Sequence, residues 1–211
     1  MTNFRSIVRF ALIYISILNS LSPLTSCAVA PFATEHTAVP LGKGSNAIDF
    51  GLSPTLYTQY SRGVTNQLDL GFGAEIQLGY SLFGWGKYSL LRQNKKQYVS
   101  VAGVAGLGMG LSIINTTFVY LGPIISRRVN EHEFYIHPRF NHLRYGRQSG
   151  AETSKDGFDI EGGSFNYLQL SAGYQYFFRE GFAFGLSGLM FPPAPGGAWS
   201  IAPGLNFLTR F

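Results

Sequence analysis

The sequence predicts an all-β chain, an antiparallel up-and-down barrel of about ten strands, with eight or twelve as the alternatives. Three observations carry this. In "QLDLGFGAEIQLGY", Gln67 to Tyr80, every even position is apolar or aromatic and every odd position is polar or glycine. Successive side chains of a strand point to opposite faces, so such a stretch has one apolar face. The same period of two recurs along the chain, and no segment holds a convincing period of 3.6. The third observation is composition: 13% charged and 15% aromatic residues in 211, with 26 glycines and no Gly-X-Y repeat. An average soluble domain is roughly 25% charged, so this chain exposes apolar surface to something other than water. A bilayer demands spanning strands of about 9–11 residues and a backbone whose polar groups are all paired by closure. The predicted barrel is therefore transmembrane.

The strands follow in order, bounded by turn residues. The first lies near 46–52, with Ile48, Phe50 and Leu52 on one face and Asp49 on the other. The second lies near 55–62, and "GVTN" leads from it into the third, the stretch from Gln67 to Tyr80. The fourth is near 83–92. After "QNKK" comes the fifth, 97–109, with Val99, Val101, Ala105 and Leu107 on one face. The sixth is near 116–127 and the seventh, after "VNEH", spans 133–145. A polar loop over 146–164 precedes the eighth, 165–178. "REG" turns into the ninth, 182–191, and "PPAPGG" into the tenth, 198–211. Pro123, Pro138 and Pro203 each remove a ladder donor, so each predicts a bulge or weak pairing. The seams alternate in kind. "RGVTNQ", "RQNKKQ", "RRVNEHE" and "REG" are short and charged, whereas "GYSLFGW", "GLGMGLSIINT", the 146–164 loop and "PPAPGG" are longer or richer in Gly and Pro. Short periplasmic turns and longer external loops give this order when both chain ends are periplasmic.

Residues 1–26 read as a signal peptide: Arg5 and Arg9, then the apolar run "FALIYISIL", then small residues. The run is well short of the ~20 residues of a spanning helix. The end, "LTSC", resembles the bacterial lipobox, which implies lipidation of Cys27. Cleavage after Ala30 of "AVA" is the alternative, with Pro31 following. Residues 27–45 then form a lipidated N-terminal tether, and 46–211 the barrel. Cys27 is the one cysteine, so no intrachain disulfide forms. The formal charge is +5, and without Arg5 and Arg9 the 16 Lys and Arg fall to 14 against 11 Asp and Glu. That balance is too weak for a nucleic-acid partner.

The chain ends on Phe211, with Phe207 and Leu205 on the same side. This resembles the C-terminal targeting signal of outer-membrane barrels, with Thr209 as the departure. Over about 45–211 the chain resembles the small outer-membrane β-barrels of Gram-negative bacteria. The resemblance implies the cell outer membrane as location, outer-membrane lipid as surroundings and the barrel assembly machinery as a partner during biogenesis. It specifies architecture and hardly any function. Tyr60, Tyr80, Trp85, Tyr88, Tyr174 and Tyr176 are candidates for interfacial girdles. The alternative is a soluble lipocalin-like barrel, with the apolar faces inside.

With apolar faces outward, the lumen receives Asp49, Gln59, Asp69, Glu75, Gln77, Lys87, His137, Arg139, Asn141, Gln169, Gln175 and Asn206. Most other inward positions are Gly, Ala or Ser, which predicts a narrow path or a pocket. Asp69, Glu75, Lys87, His137, Arg139 and Asn141 form the expected polar network, in which Arg139 needs an anion and Glu75 and Asp69 are candidates. The predicted role is structural, a narrow porin-like channel, or binding of a small solute or ligand, without catalysis. The alternative is a barrel hydrolase acting on lipid or peptide at the cell surface, with His142 or His137 beside a nucleophile or acidic partner. The His-x-Ser pattern of lipid A deacylase-type barrels is absent, because position 144 is Arg. Barrel proteases use acidic pairs with a His in the external mouth; the 146–164 loop holds Glu152, Asp156, Asp159 and Glu161 but no His. A third reading is surface binding through that loop. A Cys/His metal site is excluded by the cysteine count, "KDGFDIEGG" lacks the EF-hand spacing, and "GVAGLGMG" precedes no helix. No metal or cofactor is expected.

Overall fold

The computed structural model describes residues 31–33, 35–52, 55–76, 79–94, 96–111, 115–146, 162–179, 181–191 and 200–211. Ten strands run in chain order: β1 (Asn46–Leu52), β2 (Leu56–Gly63), β3 (Leu68–Ile76), β4 (Tyr80–Leu91), β5 (Ser100–Leu111), β6 (Asn115–Val129), β7 (His132–Gly146), β8 (Gly163–Arg179), β9 (Phe182–Phe191) and β10 (Ser200–Arg210). Each pairs antiparallel with its neighbours in sequence, and β1 pairs with β10. The result is the expected fold class, a closed up-and-down barrel. Its closing seam runs from Leu52↔Leu205 to Ala47↔Arg210 and is extended by reciprocal backbone hydrogen bonds between Asn46 and Phe211. Closure leaves no sheet edge to solvate, as a wall in hydrocarbon requires.

Alternation decides inside from outside. On β3, Leu70, Phe72 and Ile76 are exposed, whereas Asp69 and Glu75 are buried. On β6, Val119, Leu121 and Ile125 are exposed, whereas Ser126 is sealed inside. The pattern holds among the described residues of the wall: apolar side chains outside, and polar side chains with aromatic rings within. A contiguous apolar surface of this extent is not kept in water, so the lipocalin-like alternative is reversed and the wall faces lipid. Tyr80, Tyr88 and Tyr176 are exposed on it. Trp85 is not part of a girdle: it points into the lumen on the same face of β4 as Lys87.

The unbroken alternation from Gln67 to Tyr80 is not one strand. β3 ends at Ile76, and β4 begins at Tyr80 and pairs with it. Three residues separate the two, so Ile76 and Tyr80 have the same parity and both face out. The same holds between Leu52 and Leu56 and between Leu111 and Asn115. Two seams expected to be longer, "GYSLFGW" and "GLGMGLSIINT", are therefore mostly strand. The β6–β7 connection is a two-residue turn with Asn130 at a φ of 56°, a positive φ that suits such a hairpin.

Pro123 and Pro138 stand opposite each other on β6 and β7. The β6–β7 ladder keeps one register but is interrupted between Leu121↔Phe140 and Ile125↔Ile136. Neither proline has an N–H to give, so the expected weak pairing falls at one shared place.

Candidate functional site

The lumen is occupied by the chain itself. Of the stretch over 31–45, expected to act as a tether, the described residues 31–33 and 35–45 turn into the barrel at the end where β1 starts and β10 stops. Gly44 N–H donates to the Gly63 carbonyl (2.8 Å), and Gly63 N–H donates to the Ser45 carbonyl (2.9 Å). A side chain at Gly63 would collide with the Gly42 carbonyl, so glycine is what lets the segment in. Its turn signals were legible in the sequence. Its destination was not, because 31–45 has no alternating pattern to assign it a face.

From the entrance inward, each step of the segment meets a strand residue. Leu41 N–H donates to both Asp69 carboxylate oxygens (3.2 and 3.0 Å). Lys87 Nζ donates to the Thr37 and Val39 carbonyls (3.2 and 3.1 Å) and lies 3.1 Å from Asp69 Oδ2. Glu35 Oε2 approaches the same ammonium at 3.7 Å. Ala38 N–H donates to Ser126 Oγ (3.1 Å), and the Thr37 hydroxyl donates to Glu133 Oε1. His36 Nδ1 lies 2.8 Å from Asp49 Oδ2, which also accepts from Gln59 Nε2, while Asn206 Nδ2 donates to Asp49 Oδ1. Deepest, Phe32 and Ala33 N–H groups donate to the two Glu75 oxygens (3.2 and 3.0 Å), and the Thr55 hydroxyl donates to Glu75 as well.

Arg139 grips the other side of that same turn. Its guanidinium donates to the Ala33 carbonyl (3.2 Å), to the Pro31 carbonyl and to Gln169 Oε1 (2.7 Å), and it lies 4.5 Å from the Tyr120 ring centroid. The expected anion was Glu75 or Asp69. Asp69 instead joins Lys87, and Arg139 and Glu75 meet across the backbone of residues 31–33, one taking carbonyls and the other N–H groups.

The sequence places Asp69, Glu75, Lys87, His137, Arg139 and Asn141 inside, and all six are buried there. Asp49, Gln59, Gln169, Gln175 and Asn206 are buried with them; Gln77 lies outside the described residues. Glu133, Ser126, His36 and Thr37 were missed. Glu133 shares the parity of Tyr135, His137 and Arg139 on β7, a signal that was there to be used.

The small inward residues do not leave a free path. Gly71 and Gly73 lie directly across from Trp85 and Phe83. Gly106 and Gly108 lie across from Tyr120 and Phe118, and Gly173 from Tyr135. In each pair the ring rests where a Cβ would be. The glycines make room for aromatic rings that close over the backbone. These rings pack with Ala33 and Ala38 of the inserted segment in one buried apolar cluster.

The hydrolase alternative finds little here. His142 Nδ1 lies 2.7 Å from Asn166 Oδ1, an amide and neither a nucleophile nor an acid. His137 is fully buried beneath the segment. Among the described residues no three His, Cys, Asp or Glu side chains cluster in a way that could hold a metal ion. Cys27 and residues 147–161 of the polar loop lie outside the described residues.

No protein-family model matches the chain, and no curated protein does. Among solved structures, the N-terminal β-barrel domain of Pseudomonas aeruginosa OprF is similar at 13% identity and a TM-score of 0.39, covering 81% of this chain and 99% of that one. The Yersinia pestis outer membrane protein Ail, in a phospholipid bilayer nanodisc, is similar at 17% identity and a TM-score of 0.39, with the same coverages of 81% and 99%. A bacterial polysaccharide outer membrane secretin is similar at 10% identity and a TM-score of 0.44, covering 74% of this chain and 55% of that one.

Proposed function

We propose that the protein is an integral outer-membrane barrel whose lumen is held shut by its own N-terminal segment, and that withdrawal of the segment opens a narrow path for small solutes. The observation that supports this is the threading of residues 31–33 and 35–43 through the lumen on polar contacts. The apolar wall, the signal-like leader and the outward Phe207 and Phe211 at the closing seam support the outer membrane as its place. Those two phenylalanines are the groups the barrel assembly machinery would read. Lipid on Cys27 would tie the segment's upstream end to a membrane.

The grip is mostly polar. Its apolar anchors in the buried cluster are Ala33 and Ala38, each worth about 0.8 kcal/mol of methyl burial. Leu41 packs half-buried on a second apolar cluster, and the rest is hydrogen bonding, most of it to charged side chains and worth about 1.5–3 kcal/mol per bond. Gly42 and Gly44 sit at φ of 91° and 86° with open space around them, where a hinge costs little strain. Withdrawal would uncover four strand carboxylates, Asp49, Asp69, Glu75 and Glu133, and four strand cations, Lys87 and Arg139 with Arg128 and Arg210 over the Phe177 ring.

Planar-bilayer recording tests the reading, with the refolded mature chain beside a variant lacking residues 31–43. The intact chain is expected to be silent or to open rarely. The deletion variant is expected to show stable unitary steps. A deletion variant that is folded by heat-modifiable migration and as silent as the intact chain refutes the proposal.

A further inference from the structure

The charges outside the lumen are unevenly placed. Lys43, Arg62, Arg92, Lys96, Arg127 and Arg179 are exposed, and all six lie at the end of the barrel where the chain enters β1 and leaves β10. Glu131 is the one exposed carboxylate among the described residues of that end. At the opposite end the exposed charge among the described residues is Arg144.

The cations sit on a fixed frame. Arg92 Nη2 donates to the Asn66 carbonyl, tying the β4–β5 connection to the β2–β3 turn. Gln93 exchanges two hydrogen bonds with the Arg128 backbone (2.7 and 2.8 Å), tying it to the β6–β7 hairpin. Immediately inboard lies an aromatic belt. Phe134 is the cross-strand neighbour of Arg127, its ring stands 5.2 Å from that of Tyr174, and Tyr60 is two positions inboard of Arg62 on the same face. Moving toward this rim, the wall passes from aliphatic to aromatic to cationic. A bilayer presents hydrocarbon, interface and phosphate in that order.

Among the described residues six exposed cations share this rim with one exposed acidic side chain, an excess that attracts anions from outside the chain. We infer that this rim binds the phosphate groups of anionic phospholipids in the leaflet on the side of the chain termini. Arg62 and Arg127 extend from the outward face of their strands, where headgroups pack against the wall. The inference rests on the wall facing lipid and adds to it a lipid preference and a fixed level of the barrel in the bilayer.

The test uses the refolded mature protein and an R62Q/R92Q/R127Q/R179Q variant, none of whose changes touches the lumen. Both are purified from mixed micelles holding equal phosphatidylcholine and phosphatidylglycerol, and the bound lipid is quantified. Phosphatidylglycerol is expected to be enriched roughly five-fold or more on the wild type. The enrichment is expected to collapse in the variant, and in about 0.5 M NaCl on the wild type. Equal retention of the two lipids by the wild type overturns the inference, as does an enrichment that the variant keeps. Should the variant not insert, an enrichment on the wild type that salt leaves unchanged overturns it too. Heat-modifiable migration in pure phosphatidylcholine, scored first, separates failure of this inference from failure of the membrane reading.

Discussion

Arg139 holds a permanent charge with 1% of its surface exposed, and what solvates it is backbone of the inserted segment. Hydrogen bonds to a charged group are worth about 1.5–3 kcal/mol each. Arg139→Ala orphans the Pro31 and Ala33 carbonyls and Gln169 Oε1 together. We expect it to lower unfolding stability by at least about 2 kcal/mol in urea titrations in vesicles, and to raise the frequency of channel opening. Arg139→Lys keeps the charge without the planar fork and should fall between wild type and Ala. Gly71 makes a second claim at this scale. A side chain there must displace the Trp85 ring, so Gly71→Ala should cost about 1–3 kcal/mol. Gly103 has nothing within 4 Å of an added Cβ, and Gly103→Ala should stay within about 0.5 kcal/mol of wild type. Equal losses at the two sites in the same titration would contradict the role given to the rings. Parity made the burial of Arg139, Lys87, Asp69 and Glu75 legible in the sequence. The partners of Arg139 were not legible, because they are backbone carbonyls of a segment with no period.

At the scale of elements, alternation carried the strands well. β1 and β9 have the predicted bounds, and the other strands shift by a few residues. Its failure between β3 and β4 is instructive. A three-residue connection preserves parity, so a period-2 reading passes through it and fuses two strands into one. The facing prolines of β6 and β7 are a local choice of weaker pairing. Replacing both, as Pro123→Val with Pro138→Val, returns donors to the interrupted stretch of the ladder. The unfolding free energy of the double variant should rise by about 1 kcal/mol. A drop would mean that the wall needs the interruption for its curvature.

The whole molecule differs from a water-soluble protein at its surface: the outside is apolar, and the core is built of polar side chains and aromatic rings together. Composition announced this, since 13% charge cannot cover a barrel exposed to water on the outside. The filling of that core was half legible. Strand-borne polar residues followed from parity, the aromatic rings beside them were not read, Trp85 being expected in a girdle, and the segment that binds them reads as an ordinary leader-to-domain connection. The picture that results is a barrel whose lumen recognises an extended peptide by its backbone, with the protein's own N-terminal segment as that peptide.

A cross-link tests the occupancy of the lumen most directly. Ala38 N–H lies 3.1 Å from Ser126 Oγ, with both residues buried. An A38C/S126C variant, with Cys27 changed to Ser, is refolded into vesicles and oxidised. We predict a disulfide that forms only in the heat-modifiable, folded species and that keeps the channel silent. Two free thiols in the folded barrel, with residue 38 open to a bulky membrane-impermeant maleimide, would place the segment outside the lumen and contradict the account.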